Sequence, residues 1–142
     1  MKKDIIIPSV SGVEMAIVYE HNPIYKTEDW NVYIINNNDI NLEMMVIVSK
    51  GFGNEKMSSV MRKKIDVLNA NSFAKVEWMQ PELFNLTNQF QVTFFVNNRL
   101  YDKTFTFKEN TIKEGSLRMI SEIKKRGIIA NSAKAFILLP YN

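Results

Sequence analysis

One histidine, His21 in "YEHNPIY", is the only imidazole through which proton-transfer or metal chemistry can pass. A single imidazole cannot build a two- or three-histidine catalytic metal site, although Glu14, Glu20 or Glu28 could complete a weak one. It could equally serve a serine nucleophile as base, since such triads are spatial, but no nucleophile elbow accompanies it. The simpler expectation is a surface-loop histidine beside a proline turn. Carboxylate pairs of the glycosidase kind can be drawn from Glu28 with Asp29 or from Glu43 with Glu77, and a solvated loop or outer strand face explains each of them as well. "VIVSKGFGNEKMSS" has the order of a phosphate-binding loop, but Gly51 and Gly53 are two apart and Lys56 follows Glu55, which is hairpin-loop spacing. No catalytic, cofactor-binding or metal-binding residue is expected.

Cations offer the other chemistry. In "MSSVMRKKIDV" the run Arg62, Lys63, Lys64 lies inside an alternating segment whose one face carries Met57, Met61, Ile65 and Val67 and whose other carries Ser58, Arg62, Lys64 and Asp66. Lys63 and Val60 break that alternation. With Lys75 and Glu77 on the next segment, Arg62 and Lys64 form the surface on which a partner is expected. Cations beside Trp78, Tyr33 or Phe95 would suit single-stranded RNA. Lysines on an edge strand also guard against edge-to-edge pairing. A second cluster, Lys124, Lys125 and Arg126, fits the last turn of a helix, where cations complement the dipole. Met44, Met45, Met57 and Met61 suit either an adaptable groove or ordinary core.

The elements that position these residues are mostly strands. "DWNVYIINN" sets Trp30, Val32 and Ile34 against Asn31, Tyr33 and Ile35, apolar on both sides and therefore central. "NNNDIN" and "NANS" are turn chemistry, and predict hairpins from the 30s strand to "LEMMVIVS" and from the 60s strand to "FAKVEWM". In the latter, Ala74, Val76 and Trp78 are expected inward, and Phe73, Lys75 and Glu77 outward. "QPELF" predicts a short helical corner. Asn97 and Asn98 predict a type I′ turn between "FQVTFFV" and "LYDKTFTF", with Phe90, Val92, Phe94, Val96, Tyr101, Phe105 and Phe107 inward. Ser116 to Gly127 reads as a short C-terminal helix carrying Leu117, Ile120 and Ile123 on one face. Together these predict an all-β, antiparallel immunoglobulin-like β-sandwich with that one helix.

The 142 residues suit one domain spanning 1–142, with the last dozen residues as a docked or flexible tail. Nine Phe, five Tyr and two Trp can anchor a core. The net charge of +3, with acids interspersed among the basic residues, predicts a weak long-range field. Zero cysteines exclude disulfides, thiolate zinc sites and a cysteine nucleophile, and point to the cytoplasm. In "MKKDIIIPSV" Asp4 and Pro8 interrupt what would be an export signal, and "AFILLPY" is far short of the ~18 apolar residues of a spanning helix, so no membrane association is expected.

The run "DWNVYIINNNDINLEMMVIVSKGFGNEKMSSVMRKKIDVL", continuing through "SFAKVEWM" and "FQVTFFVNNRLYDKTFTFKENTI", resembles a small bacterial family of about this length. The resemblance covers roughly residues 2–129. Some members of that family are labelled phenylalanyl-tRNA synthetase subunit alpha. The resemblance implies a coherent small domain and a connection to RNA or translation. The chain carries neither the arginine-bearing motif nor the glycine-rich motif of a class II synthetase, so no catalytic residue follows from it. The expected function is a non-enzymatic binding or interaction module with a protein partner. The alternatives are an RNA- or tRNA-associated basic β domain and, more remotely, a hydrolase using His21. An exposed edge strand could also pair two copies into a homodimer.

Overall fold

Period-two alternation becomes strand almost throughout. The computed structural model describes residues 10–53, 55–58, 60–132 and 136–137; the expectations for the first nine residues and for most of "AFILLPYN" fall outside these. Two antiparallel sheets face each other. The five-stranded sheet has the order β6-β2-β1-β10-β9, formed by β6 (Ser72–Trp78), β2 (Thr27–Asn36), β1 (Val13–Asn22), β10 (Lys125–Ile129) and β9 (Arg118–Ile120). The opposing sheet runs from β11 (Asn131–Ser132) through β8 (Arg99–Phe107), β7 (Thr87–Val96) and β3 (Leu42–Gly53) to β4 (Lys56–Met57). β5 (Met61–Leu68) also pairs with β3, and β12 (Phe136–Ile137) with β8.

Between the sheets lies one apolar layer. Val13, Met15 and Ile17 of β1, Val32 and Ile34 of β2 and Val76 of β6 meet Leu42, Met45 and Ile47 of β3, Phe90, Val92 and Phe94 of β7, and Tyr101, Phe105 and Phe107 of β8. The alternating aromatics of β7 and β8 therefore point inward as expected, and Asn97 and Asn98 take the positive φ (49° and 64°) that their tight turn needs. β2 is central and apolar on both sides, because Tyr33 and Ile35 join Ala16, Val18, Ile120 and Ile123 in a second cluster on the outer face. The helical corner also forms, as a 3-10 turn over Pro81–Leu83. Among the described residues no helix is long and apolar enough to cross a membrane.

Two of the expected hairpins are instead crossings between sheets. β2 pairs with β1 and β6, not β3, and β5 pairs with β3, not β6. The Asn-rich turns are bent as their composition requires, but both carry the chain from one sheet to the other and they bond to each other. Asn36, fully buried, donates from Nδ2 to the carbonyls of Ile40, Leu68 and Asn69 and accepts on Oδ1 from the backbone and side-chain N–H groups of Asn38. The Asn71 backbone N–H donates to the Asn38 carbonyl, and that of Ala70 to Asn41 Oδ1. Turn composition specifies a reversal; which sheet receives the chain is decided by what the reversed strand packs on.

The expected C-terminal helix does not form. Among the described residues the segment holds a 3-10 turn (Glu114–Ser116) and the β9–β10 hairpin, which extends the first sheet by pairing with β1. A four-residue loop places Ile120 and Ile123 on one side as well as a helical turn would, and a helix this short is marginal in water. Pairing with β1 instead satisfies the backbone and buries both isoleucines. Gly127 is not a helix stop: a Cβ there would lie 2.7 Å from the Ile17 carbonyl oxygen, so it permits the close approach of β10 to β1. Lys125 does not face a helix dipole. It pairs with Glu20 at 3.0 Å and lies over the Tyr33 ring.

Candidate binding site where the sheets part

β5 and β6 leave the turn at residues 69–71 as the edges of opposite sheets, so their exposed faces look in opposite directions. This divides the residues expected to share one surface. Arg62 and Lys64 stand on the outer face of the second sheet, opposite Val48 and Val46, and neither has an ion-pair partner among the described residues. Lys75 stands on the outer face of the first sheet, opposite Tyr33. The expected common face of Arg62, Lys64, Lys75 and Glu77 therefore does not exist.

Glu77 lies between the sheets, because of a bulge. β6 pairs Glu77 with Val32 and Lys75 with Tyr33, leaving Val76 as an extra residue. An added residue shifts the two-residue period by one. Beyond the bulge Glu77 therefore faces inward with Val32, and Trp78, expected inward, sits opposite the outward Asn31 with 51% of its surface exposed. The same logic reassigns Lys63, which broke the alternation. In register with buried Ile47, it belongs with Met61 and Ile65 on the side facing the first sheet.

A pocket of about 270 Å³ opens between the diverging edges, lined among others by Ser49, Ser58, Met61, Glu77, Trp78 and Asn88. Ser49 Oγ donates to Glu77 Oε1 at 3.3 Å. Burial raises the Glu77 pKa, while the Ser49 bond and the Lys63 charge oppose the shift. Gly51 keeps the wall close: its N–H donates to Ser58 Oγ at 2.6 Å, and a Cβ there would meet Asn88 Oδ1 at 3.0 Å. Asn88 in turn donates to the carbonyls of Leu83 and Leu86, anchoring the 3-10 corner beside the pocket. The phosphate-loop order around Gly51 and Gly53 is a hairpin, with Gly53 opposite Lys56 in β4.

A raised carboxyl pKa binds a proton more tightly in the folded chain than in the unfolded one, so its stability contribution is present at low pH and lost as pH rises through the folded pKa. Glu77→Gln should accordingly be more stable than wild type near neutral pH, and the difference should vanish toward about pH 4. Thermal melts across that range check this. A variant destabilised at neutral pH would show that the charge, not its burial, dominates.

The remaining candidate groups stay apart. His21 Nδ1 contacts Glu28 Oε2 at 2.7 Å across the β1–β2 hairpin, with both side chains about half exposed, so it lies on a strand and not in a loop. Asp29 accepts from Asn22 and Thr27, which hold its pKa below the usual value. Glu43 and Glu77 are not a pair: Glu77 bonds to Ser49, and Glu43 lies six positions back along β3 from Ser49, roughly 20 Å of extended strand. Among the described residues no cluster of three histidine or acidic side chains is placed to hold a metal ion. Met45 is core, whereas Met44, Met57 and Met61 are exposed.

A second polar network escaped the sequence reading. Tyr33 Oη, Asn31 Nδ2 and Lys125 Nζ all donate to the Glu20 carboxylate, at 2.6, 2.8 and 3.0 Å. Burial alone would raise the Glu20 pKa; the three donors outweigh it and hold it low. Its only sequence trace is polar residues alternating with apolar ones on β1 and β2. Comparison of the chain with protein-family models, curated proteins and solved structures finds no match.

Proposed function

We propose that this protein is a non-enzymatic interaction module that receives an extended, acidic segment of a partner protein along β5 and one of its side chains in the Glu77 pocket. The observation that carries this is the pocket between the parting edges of β5 and β6, with a partly buried carboxylate in it. At about 270 Å³ it is smaller than the ~300–1,000 Å³ of small-molecule sites and fits a single inserted side chain that donates hydrogen bonds. β5 is bonded on one side to β3, and its other edge has no strand partner among the described residues. Strand addition supplies affinity through the main chain and specificity through such a pocket. Arg62 and Lys64 then complement acidic side chains on the added strand. Antiparallel pairing of two β5 strands about Lys63 would set Arg62 against Lys64 and the two Lys63 side chains against each other, so a second copy in that register is a poorer occupant than an acidic strand.

An immunoglobulin-like topology is supported by the strand order. β1, β2 and the returning β6 face the β7–β8 hairpin together with β3 and β5, and the β9–β10 hairpin adds to the first sheet. The lack of cysteine supports a cytoplasmic setting. The RNA reading, which also follows from the family resemblance, rests on Arg62 and Lys64. Of the rings expected to stack, Trp78 and Tyr33 belong to the opposite sheet, and Phe95, on β7, is separated from Arg62 and Lys64 by β3.

Fluorescence anisotropy decides between the two. Acidic, alternating peptides and single-stranded RNA are titrated against wild type, Arg62→Glu/Lys64→Glu and Glu77→Gln. Peptide binding weakened about tenfold or more by either variant is the expected result. RNA binding that is lost in the charge-reversal variant and unchanged in Glu77→Gln would replace this reading with the RNA one.

A further inference from the structure

Two acceptors in the pocket between β5 and β6 have unused capacity. Glu77 accepts only from Ser49, at 3.3 Å on Oε1, and its Oε2 has no partner among the described residues. Asn88, 3% exposed, donates from Nδ2 to the carbonyls of Leu83 and Leu86, and its Oδ1 accepts from no group among those residues. We propose that the side chain this pocket receives is arginine, its guanidinium bridging the Glu77 carboxylate and the Asn88 amide oxygen. This assignment rests on the strand-addition reading and adds to it the residue that the pocket selects.

Both acceptors are held in place and within reach. The Asn88 amide cannot be turned over, because its oxygen would then face two carbonyl oxygens. In contrast to Asn31 Oδ1, which is fully enclosed, Asn88 Oδ1 keeps access to the pocket that Asn88 lines. Glu77 stands over Ser49, and Asn88 is in register with Gly51, two residues further along β3, so the two acceptors are separated by about 7 Å along the strand.

That spacing separates arginine from the other donors. A planar fork with N–H groups on opposite sides spans it with a hydrogen bond of about 2.9 Å at each end, whereas the compact ammonium of lysine meets one acceptor at a time. Charge points the same way. Burial makes the ionised Glu77 carboxylate costly, and an entering cation offsets that cost. The protein's own cations leave the place open: Lys63 is felt at Glu77 but makes no ion pair with it among the described residues, and the Lys50 ammonium lies over the Phe52 ring at 5.9 Å. Met61 and Leu83 line the same pocket and give the methylene stem an apolar wall.

Acidic peptides of eight residues, the length of β5, test this when they differ only in one guest residue: arginine, citrulline, lysine or leucine. The guest is placed at either of two adjacent central positions, so that one of them faces the pocket. Citrulline keeps the shape and N–H groups of arginine and removes the charge. In anisotropy titrations of the full chain, the arginine peptide is expected to bind about tenfold or more tighter than the citrulline and leucine peptides, and Glu77→Gln to abolish its advantage over citrulline. That variant is expected to be the more stable protein near neutral pH, so unfolding cannot mimic the loss. Acidic peptides that bind with no preference for arginine, or with one that survives Glu77→Gln, overturn the arginine assignment and leave strand addition standing. Absence of binding by every peptide overturns both.

Discussion

Asn36→Ala is expected to lower stability by about 2–4 kcal/mol, out of proportion to the few atoms removed. The change deletes a buried amide that serves the carbonyls of Ile40, Leu68 and Asn69 and accepts from Asn38. Those three carbonyls belong to both inter-sheet crossings, so the loss releases the β2–β3 and β5–β6 corners from each other at once. Asn36→Asp should be no better, because a carboxylate would face carbonyl oxygens in place of a donor. Urea unfolding measures the difference. A variant within about 0.5 kcal/mol of wild type would mean that the two corners hold without the amide.

Phe90→Ala is expected to cost about 3–5 kcal/mol, or roughly 2–4 °C in Tm for each kcal/mol. Phe90 is 1% exposed, meets Phe107 edge-on at 5.9 Å, and also lines the Glu77 pocket. Its removal both opens a cavity in the core and joins that cavity to the pocket, so water can enter and the loss should fall toward the lower end of the range. Phe105, which does not line the pocket, provides the comparison: Phe105→Ala should cost more. Equal losses in the two variants would show that the pocket does not communicate with the core.

The division between what could be read from the sequence and what could not follows from the range of each signal. The inward set on β7 and β8, the Asn97–Asn98 turn and the Pro81 corner depend on neighbours within a few residues, and all three stand as expected. The failures involve alternatives that are locally equivalent. Leu117, Ile120 and Ile123 fit a helical turn and a hairpin loop alike, and the open edge of β1 decided for the hairpin. "NNNDIN" and "NANS" specify a change of direction without saying onto which sheet.

The candidate site was less legible than the fold, because it depends on one residue of register. Glu77 was singled out as an outward companion of Lys75, and the Val76 bulge turned it inward to Ser49. The break in alternation at Lys63 was visible and was the sole local sign that this strand faced something polar. Ser49, Asn88 and the Glu20 network carried no comparable mark.

By itself, then, the sequence determined that this chain is all-β, which faces of its strands are apolar and where it bends, since side-chain alternation and turn chemistry act over a few residues. Only the tertiary structure decided which strands pair, that β5 and β6 part as the edges of opposite sheets, and that Glu77 faces inward while Lys75 faces out. Those outcomes are set by contacts between distant segments, where a one-residue slip in β6 reverses every side chain beyond it at almost no local cost.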